Sequence, residues 1–213
     1  MGFSAESEVE ACYRDARISR IYEGTNEINR LLIVKMVLKK AVTGEIDFFE
    51  PAKNVVKELM SIPSFQESSN DIFNEFKIVL KNLKKIILMI AGTAAEKLGT
   101  KIGEEQELMM NISEMIIDTY MLESALLKTE KLTSKEGPIK NQERISMCIN
   151  FLHNTVDKFL KNGKEAIYSL SEGDEQKILL LGLKRFTKVK PDNLKEHRRS
   201  IAKKLIEENL YCF

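Results

Sequence analysis

Residues 21–29, IYEGTNEIN, set a carboxylate between an aromatic residue and a glycine, just ahead of a residue type that caps helices. By residue type alone, Glu23 is a helix-end carboxylate, Gly24 a backbone hinge and Thr25 an N-cap. The other reading is chemical. A carboxylate on a loop between two helices can act as a general base when apolar neighbours such as Tyr22 strip water from it and raise its proton affinity. Both readings require a helix on each side of Glu23-Gly24.

The flanking pattern supplies them. Ser4 or Ser7 can cap a first helix, and Ser7 with Glu10 has capping-box spacing; Val9, Cys12, Tyr13 and Ala16 then share a face. After the break, Thr25 caps a second helix. Glu27 lies in its first turn, where negative charge meets the positive end of the helix dipole. Ile28, Leu31, Leu32, Lys35 and Leu38 form its stripe, and Val42-Thr43-Gly44 ends it.

Residues 44–70, with Gly44, Pro51, Pro63 and the polar run QESSND, read as a linker holding a short helix at 51–61. Three long amphipathic segments follow, from Ile72 to Ile90, Leu108 to Leu126 and Ile145 to Ile167, each repeating at helical spacing over several turns. Turns are expected at Gly99–Gly103 and at Glu136-Gly137-Pro138. A shorter helix is predicted over 174–187, and a last one opens after Pro191-Asp192 with Leu194, Ile201 and Leu205. Short connections between long helices make antiparallel neighbours, so an all-α, up-down bundle is expected with no competing strand signal.

Composition narrows the function classes. A net charge of +1 gives no reason to expect a nucleic-acid partner. Cys12, Cys148 and Cys212 are odd in number and show no CxxC spacing, so no disulfide framework or zinc site is expected, and a reducing cytoplasm or equivalent matrix is the simplest compartment. The first residues, MGFSAESEVE, lack the basic and apolar regions of a signal peptide. The longest uncharged apolar run, IILMIAGTAA, is too short to span a bilayer.

Other features carry weaker chemistry. Lys77, Lys81, Lys84 and Lys85 beside an apolar face could meet an anionic membrane surface, although a bundle helix with a solvated lysine face has the same pattern. His153 and Asp157 lie one turn apart without further ligands, so no metal is assigned. His197, in KEHRRS, reads as part of an exposed basic face, and the nine methionines read as core filler.

The stretch around Glu23 resembles the C-terminal signature of flavin-dependent acyl-CoA dehydrogenases. Tyr13-Arg14-Asp15-Ala16, Ile18, Ile21-Tyr22-Glu23-Gly24-Thr25, Ile28 and Arg30 match it, and Gly2-Phe3 resembles the end of the family's GGxG(Y/F) motif. The resemblance covers about the first 40 residues. It implies that Glu23 removes the α-proton of an acyl-CoA thioester, that its backbone N–H helps bind the thioester oxygen, and that Gly24 lies against the substrate. It further implies that Thr25, Asn26 and Glu27 open a helix facing FAD, and that an electron-transfer acceptor reoxidises the flavin. The helical remainder resembles, in length and helicity, the extension of very-long-chain acyl-CoA dehydrogenases, which assists dimer packing or membrane-surface association.

The expectation is therefore a C-terminal fragment of such an enzyme. Residues 1–43 are the end of its C-terminal helical domain, 44–70 a linker and 71–213 an additional bundle. It is expected to be inactive and without FAD in isolation, homo-oligomeric, and cytoplasmic or peripheral to the inner membrane. The alternative is a non-catalytic helical module for oligomerisation or membrane-surface docking.

Overall fold

The computed structural model describes residues 3–59 and 72–213. Met1 and Gly2, Pro63 and the run QESSND lie outside the described residues, as does the side chain of Ile72. Eight α-helices follow one another: α1 (Glu8–Ile18), α2 (Asn26–Val42), α3 (Phe49–Leu59), α4 (Ile72–Leu98), α5 (Gln106–Glu136), α6 (Gln142–Leu170), α7 (Gly173–Phe186) and α8 (Leu194–Glu208). No strand occurs among the described residues. The all-α expectation holds.

Local rules account for several boundaries. The Ser7 side chain accepts from the Val9 N–H (3.3 Å), so Ser7 is the N-cap of α1. Glu10 does not complete the expected capping box: its carboxylate pairs with Arg14 one turn on (3.1 Å). Thr25 caps α2 by accepting from the Ile28 N–H (3.2 Å). Gly137, with φ 84°, stops α5 in a backbone region that suits glycine, and Pro138 follows. Short 3-10 segments, Gly99–Glu104 and Ile139–Asn141, join α4 to α5 and α5 to α6.

Pairing across helices fixes the up-down order. Lys77 of α4 reaches Glu130 of α5, and Lys84 reaches Glu123 (2.7 Å), so seven residues forward on one helix is seven back on the other. Asp118 with Lys158 (2.9 Å) and Thr129 with Cys148 (3.3 Å) show the same reversal between α5 and α6.

Leu83, Ile86, Met109, Ile112, Phe159, Ile167 and Leu183 are fully or almost fully buried at the centre. Val34 and Ala41 of α2 and Val55 of α3 join the same core, so the stretch before α4 adds buried surface to the bundle. Helix α3 begins two residues before its predicted start and lies tightly on α4. A Cβ at Gly92 would stand 2.7 Å from the Ala52 Cβ, so glycine permits that close approach. Helix α8 docks on α6 through polar contacts and buries none of its residues.

Candidate functional site

The Glu23 turn is built by hydrogen bonds that close on both sides of it. Helix α1 runs out through Arg20 N–H to Arg17 O (3.3 Å) and Ile21 N–H to Ile18 O (3.0 Å). The Asn26 N–H then donates back to Arg20 O (3.1 Å), looping residues 20–26 onto themselves. Asn29 reaches back from the first turn of α2, its Nδ2 donating to Gly24 O (2.8 Å).

Within this loop Glu23 has φ 52° and Gly24 φ 91°. A left-handed conformation is routine for glycine but costs a glutamate about 1–2 kcal/mol. The fit at Gly24 is also steric: an added Cβ would lie 2.8 Å from Asn29 Oδ1. Among the described residues, the Glu23 N–H makes no hydrogen bond.

Arg30 ties the turn to the bundle through hydrogen bonds. Arg30 donates through Nη1 to Asn26 O (3.1 Å) and through Nε to the Glu114 carboxylate on α5. On its other side the turn is open. Glu23 and Glu27 are exposed, Thr25 and Asn26 are half-buried, and Tyr22 retains 52% of its accessible surface. Tyr13, Ile18, Ile21 and Ile28 are exposed too, so the apolar cover expected around the Glu23 carboxylate is not supplied by the described residues.

The other candidate features resolve differently. Lys77, Lys84 and Lys85 pair with Glu130, Glu123 and Glu58, so most of the lysine face of α4 is an interhelical ion-pair lattice. His197 does not stand on a free basic face. Its Nδ1 lies 3.0 Å from Ser146 Oγ and its Nε2 3.2 Å from Asp192 Oδ1. Ser146 is 3% exposed on the inward side of α6, closed to a substrate, so this Ser–His–Asp group docks α8 instead of forming a nucleophile. Burial pushes the Asp192 carboxyl up, but the Asn193 N–H and the His197 ring act the other way, and it ends below its ordinary value.

Burial also raises the Cys148 thiol, against the opposing hydrogen bond with Thr129, so this sulfur favours its neutral form in the packed core. Among the described residues no group of three or more His, Cys, Asp or Glu side chains is placed to hold a metal ion. No described helix is long and apolar enough to cross a membrane.

The geometry thus defines a helix–turn–helix carrying an exposed carboxylate on a strained residue, set against one side of a helical bundle. Two family models, each for the acyl-CoA dehydrogenase C-terminal domain, match residues 1–38 and 82–185. A probable acyl-CoA dehydrogenase of Bacillus subtilis is 37% identical over 210 residues, covering 99% of this chain and 35% of that protein. The short-chain specific mitochondrial enzyme of Sus scrofa is 56% identical over 39 residues, 18% of this chain and 9% of its own length. The crystal structure of a Bacillus anthracis acyl-CoA dehydrogenase complexed with FAD is similar with a TM-score of 0.93 and 37% identity, over 100% of this chain and 36% of that one.

The chain belongs to the acyl-CoA dehydrogenase family, whose C-terminal domain it carries. It spans about a third of the length of the two Bacillus relatives. The sequence pattern placed Glu23 and Gly24 at a helix break and Thr25 as the cap after it, which is where they stand. It missed the Asn29 clamp on Gly24, for which an amide at the start of a capped helix was the available signal. It also missed Glu114, for which there was none.

Proposed function

We propose that this chain forms part of a flavin-dependent acyl-CoA dehydrogenase, with Glu23 as the base that removes the α-proton of an acyl-CoA thioester. The observation that carries this reading is the left-handed Glu23 itself. A carboxylate held at an energetic cost on a hydrogen-bonded turn, with its side chain free of partners among the described residues, is poised for an external one. Its unpaired N–H can donate to the thioester oxygen as negative charge develops there, and Gly24 leaves the backbone open to the substrate.

Thr25, Asn26 and Glu27 open α2 beside this turn and are assigned to the FAD side. Their chemistry fits that group in part: the helix N-terminus favours electron-rich atoms, while Glu27 suits hydroxyl or N–H groups of the cofactor and not its phosphates. When bound, FAD supplies the acceptor for the hydride that leaves the β-carbon. The residues of this chain take the α-proton onto the Glu23 carboxylate and fix where that carboxylate stands.

The exposed apolar residues around Glu23 need cover before the carboxylate can work as a strong base, and most of the related enzymes' length lies outside this chain. The 213-residue chain alone is therefore expected to be colourless and inactive. The two family-model spans support a functional division into a catalytic end, 1–43, and an additional bundle, 71–213, joined through 44–70. An electron-transfer acceptor and a homo-oligomeric state belong to the same proposal. A membrane-docking role has less behind it, since most of the lysines it would use are paired.

The test is Glu23→Gln in the full-length enzyme. Turnover should fall by about 10²–10⁴-fold with FAD content unchanged, the range for loss of a positioned base. Unchanged turnover would leave a non-catalytic helical module.

A further inference from the structure

The contact between Arg30 and Glu114 joins parts of the chain that matched the family separately. Arg30 lies on the helix that follows the Glu23 turn, and Glu114 on the second long helix of the bundle, 84 residues away. Their side chains retain 26% and 32% of their exposure, so the pair is largely shielded, as Lys85–Glu58 is and as Lys177–Asp174 and Lys203–Glu207 are not. Glu114 takes the Nε–H of Arg30, which turns the Nη1–H onto Asn26 O. Asn26 in turn donates its N–H to Arg20 O, the bond that closes the loop around Glu23. A continuous polar path thus runs from the bundle through Arg30 and Asn26 to the loop that holds the base.

We infer that Glu114 is a positioning residue for α-proton abstraction: through Arg30 it fixes the loop that aims the Glu23 carboxylate. The bundle then acts on the chemistry of the site as well as on assembly. This rests on Glu23 being the base, as proposed above. The physical reason is that proton transfer is steep in distance and direction, so a small drift of the loop costs rate while leaving substrate affinity nearly intact.

The experiment uses the full-length enzyme and an α-deuterated acyl-CoA. Glu114→Ala should lower kcat by about tenfold, a misalignment smaller than the hundredfold that a displacement of about 1 Å can cost. KM should stay within about twofold, FAD content should be unchanged, and the α-deuterium isotope effect on kcat should rise as proton transfer becomes limiting. Glu114→Gln keeps the shape and an oxygen for Arg30, and should fall between Ala and the wild type in both readouts. Glu123→Ala breaks a different ion pair on the same helix and should leave kcat and the isotope effect unchanged.

The inference is overturned if both Glu114 variants keep the wild-type kcat and isotope effect while Glu23→Gln abolishes turnover. It is also overturned if Glu123→Ala matches Glu114→Ala, with losses following thermal stability alone. Normal turnover in Glu23→Gln would instead remove the underlying reading of Glu23.

Discussion

Helix α1 buries none of its residues, whereas α6 buries eleven of its twenty-nine. Both are amphipathic and both were legible as helices. They differ in what their apolar faces meet. The face of α6 interlocks with α4, α5 and α7 inside one core, while Val9, Tyr13 and Ile18 of α1 stay exposed beside the Glu23 turn. The lesson is that apolar periodicity alone does not bury a face. The bundle helices find partners among the described residues, and the apolar residues beside the Glu23 turn do not.

Substitutions can break or sharpen that contrast. Phe159→Ala empties a fully buried position on α6 and should destabilise the fold by about 3–5 kcal/mol, read from the midpoint of chemical denaturation. Gly24→Ala puts a Cβ against Asn29 at φ 91° and should cost about 1–3 kcal/mol locally, seen as faster amide exchange at Ile28 with the global midpoint little changed.

The edge of the bundle should show a smaller, pH-dependent effect. Because the folded state holds the Asp192 carboxyl below its ordinary value of 3.8, its stabilisation is present above that pH and is lost as pH falls through the lowered value. Asp192→Asn should therefore reduce the acid sensitivity of α8 docking, measured by amide exchange in α8 between neutral pH and about pH 3. Smallest of all, Tyr13→Ala should change global stability by less than about 0.5 kcal/mol. A loss comparable to Phe159→Ala would mean that α1 is packed after all, and the contrast would fail.

What could be read in advance follows from the range of the interactions. The stripes from Ile72 to Ile90, Leu108 to Leu126 and Ile145 to Ile167 became α4, α5 and α6 because helical periodicity is local. The caps at Ser7 and Thr25 were visible for the same reason, and the Glu23 motif because its residues lie within a few turns of each other. The capping-box role of Glu10 failed locally, since Arg14 one turn away offered the carboxylate a charged partner. His197 was read as an exposed face because its partner Ser146 is 51 residues distant.

By itself, then, the sequence determined an all-α chain, the capped starts of α1 and α2 and the turn that bears Glu23, since capping and periodicity act over a few residues. Tertiary structure alone decided which carboxylates Lys77, Lys84 and Lys85 of α4 meet, that His197 bridges Ser146 and Asp192, and that Glu114 holds Arg30. Those pairs depend on the register in which antiparallel helices pack. That register is chosen by the fit of buried side chains across the whole core, which no short stretch of residues encodes.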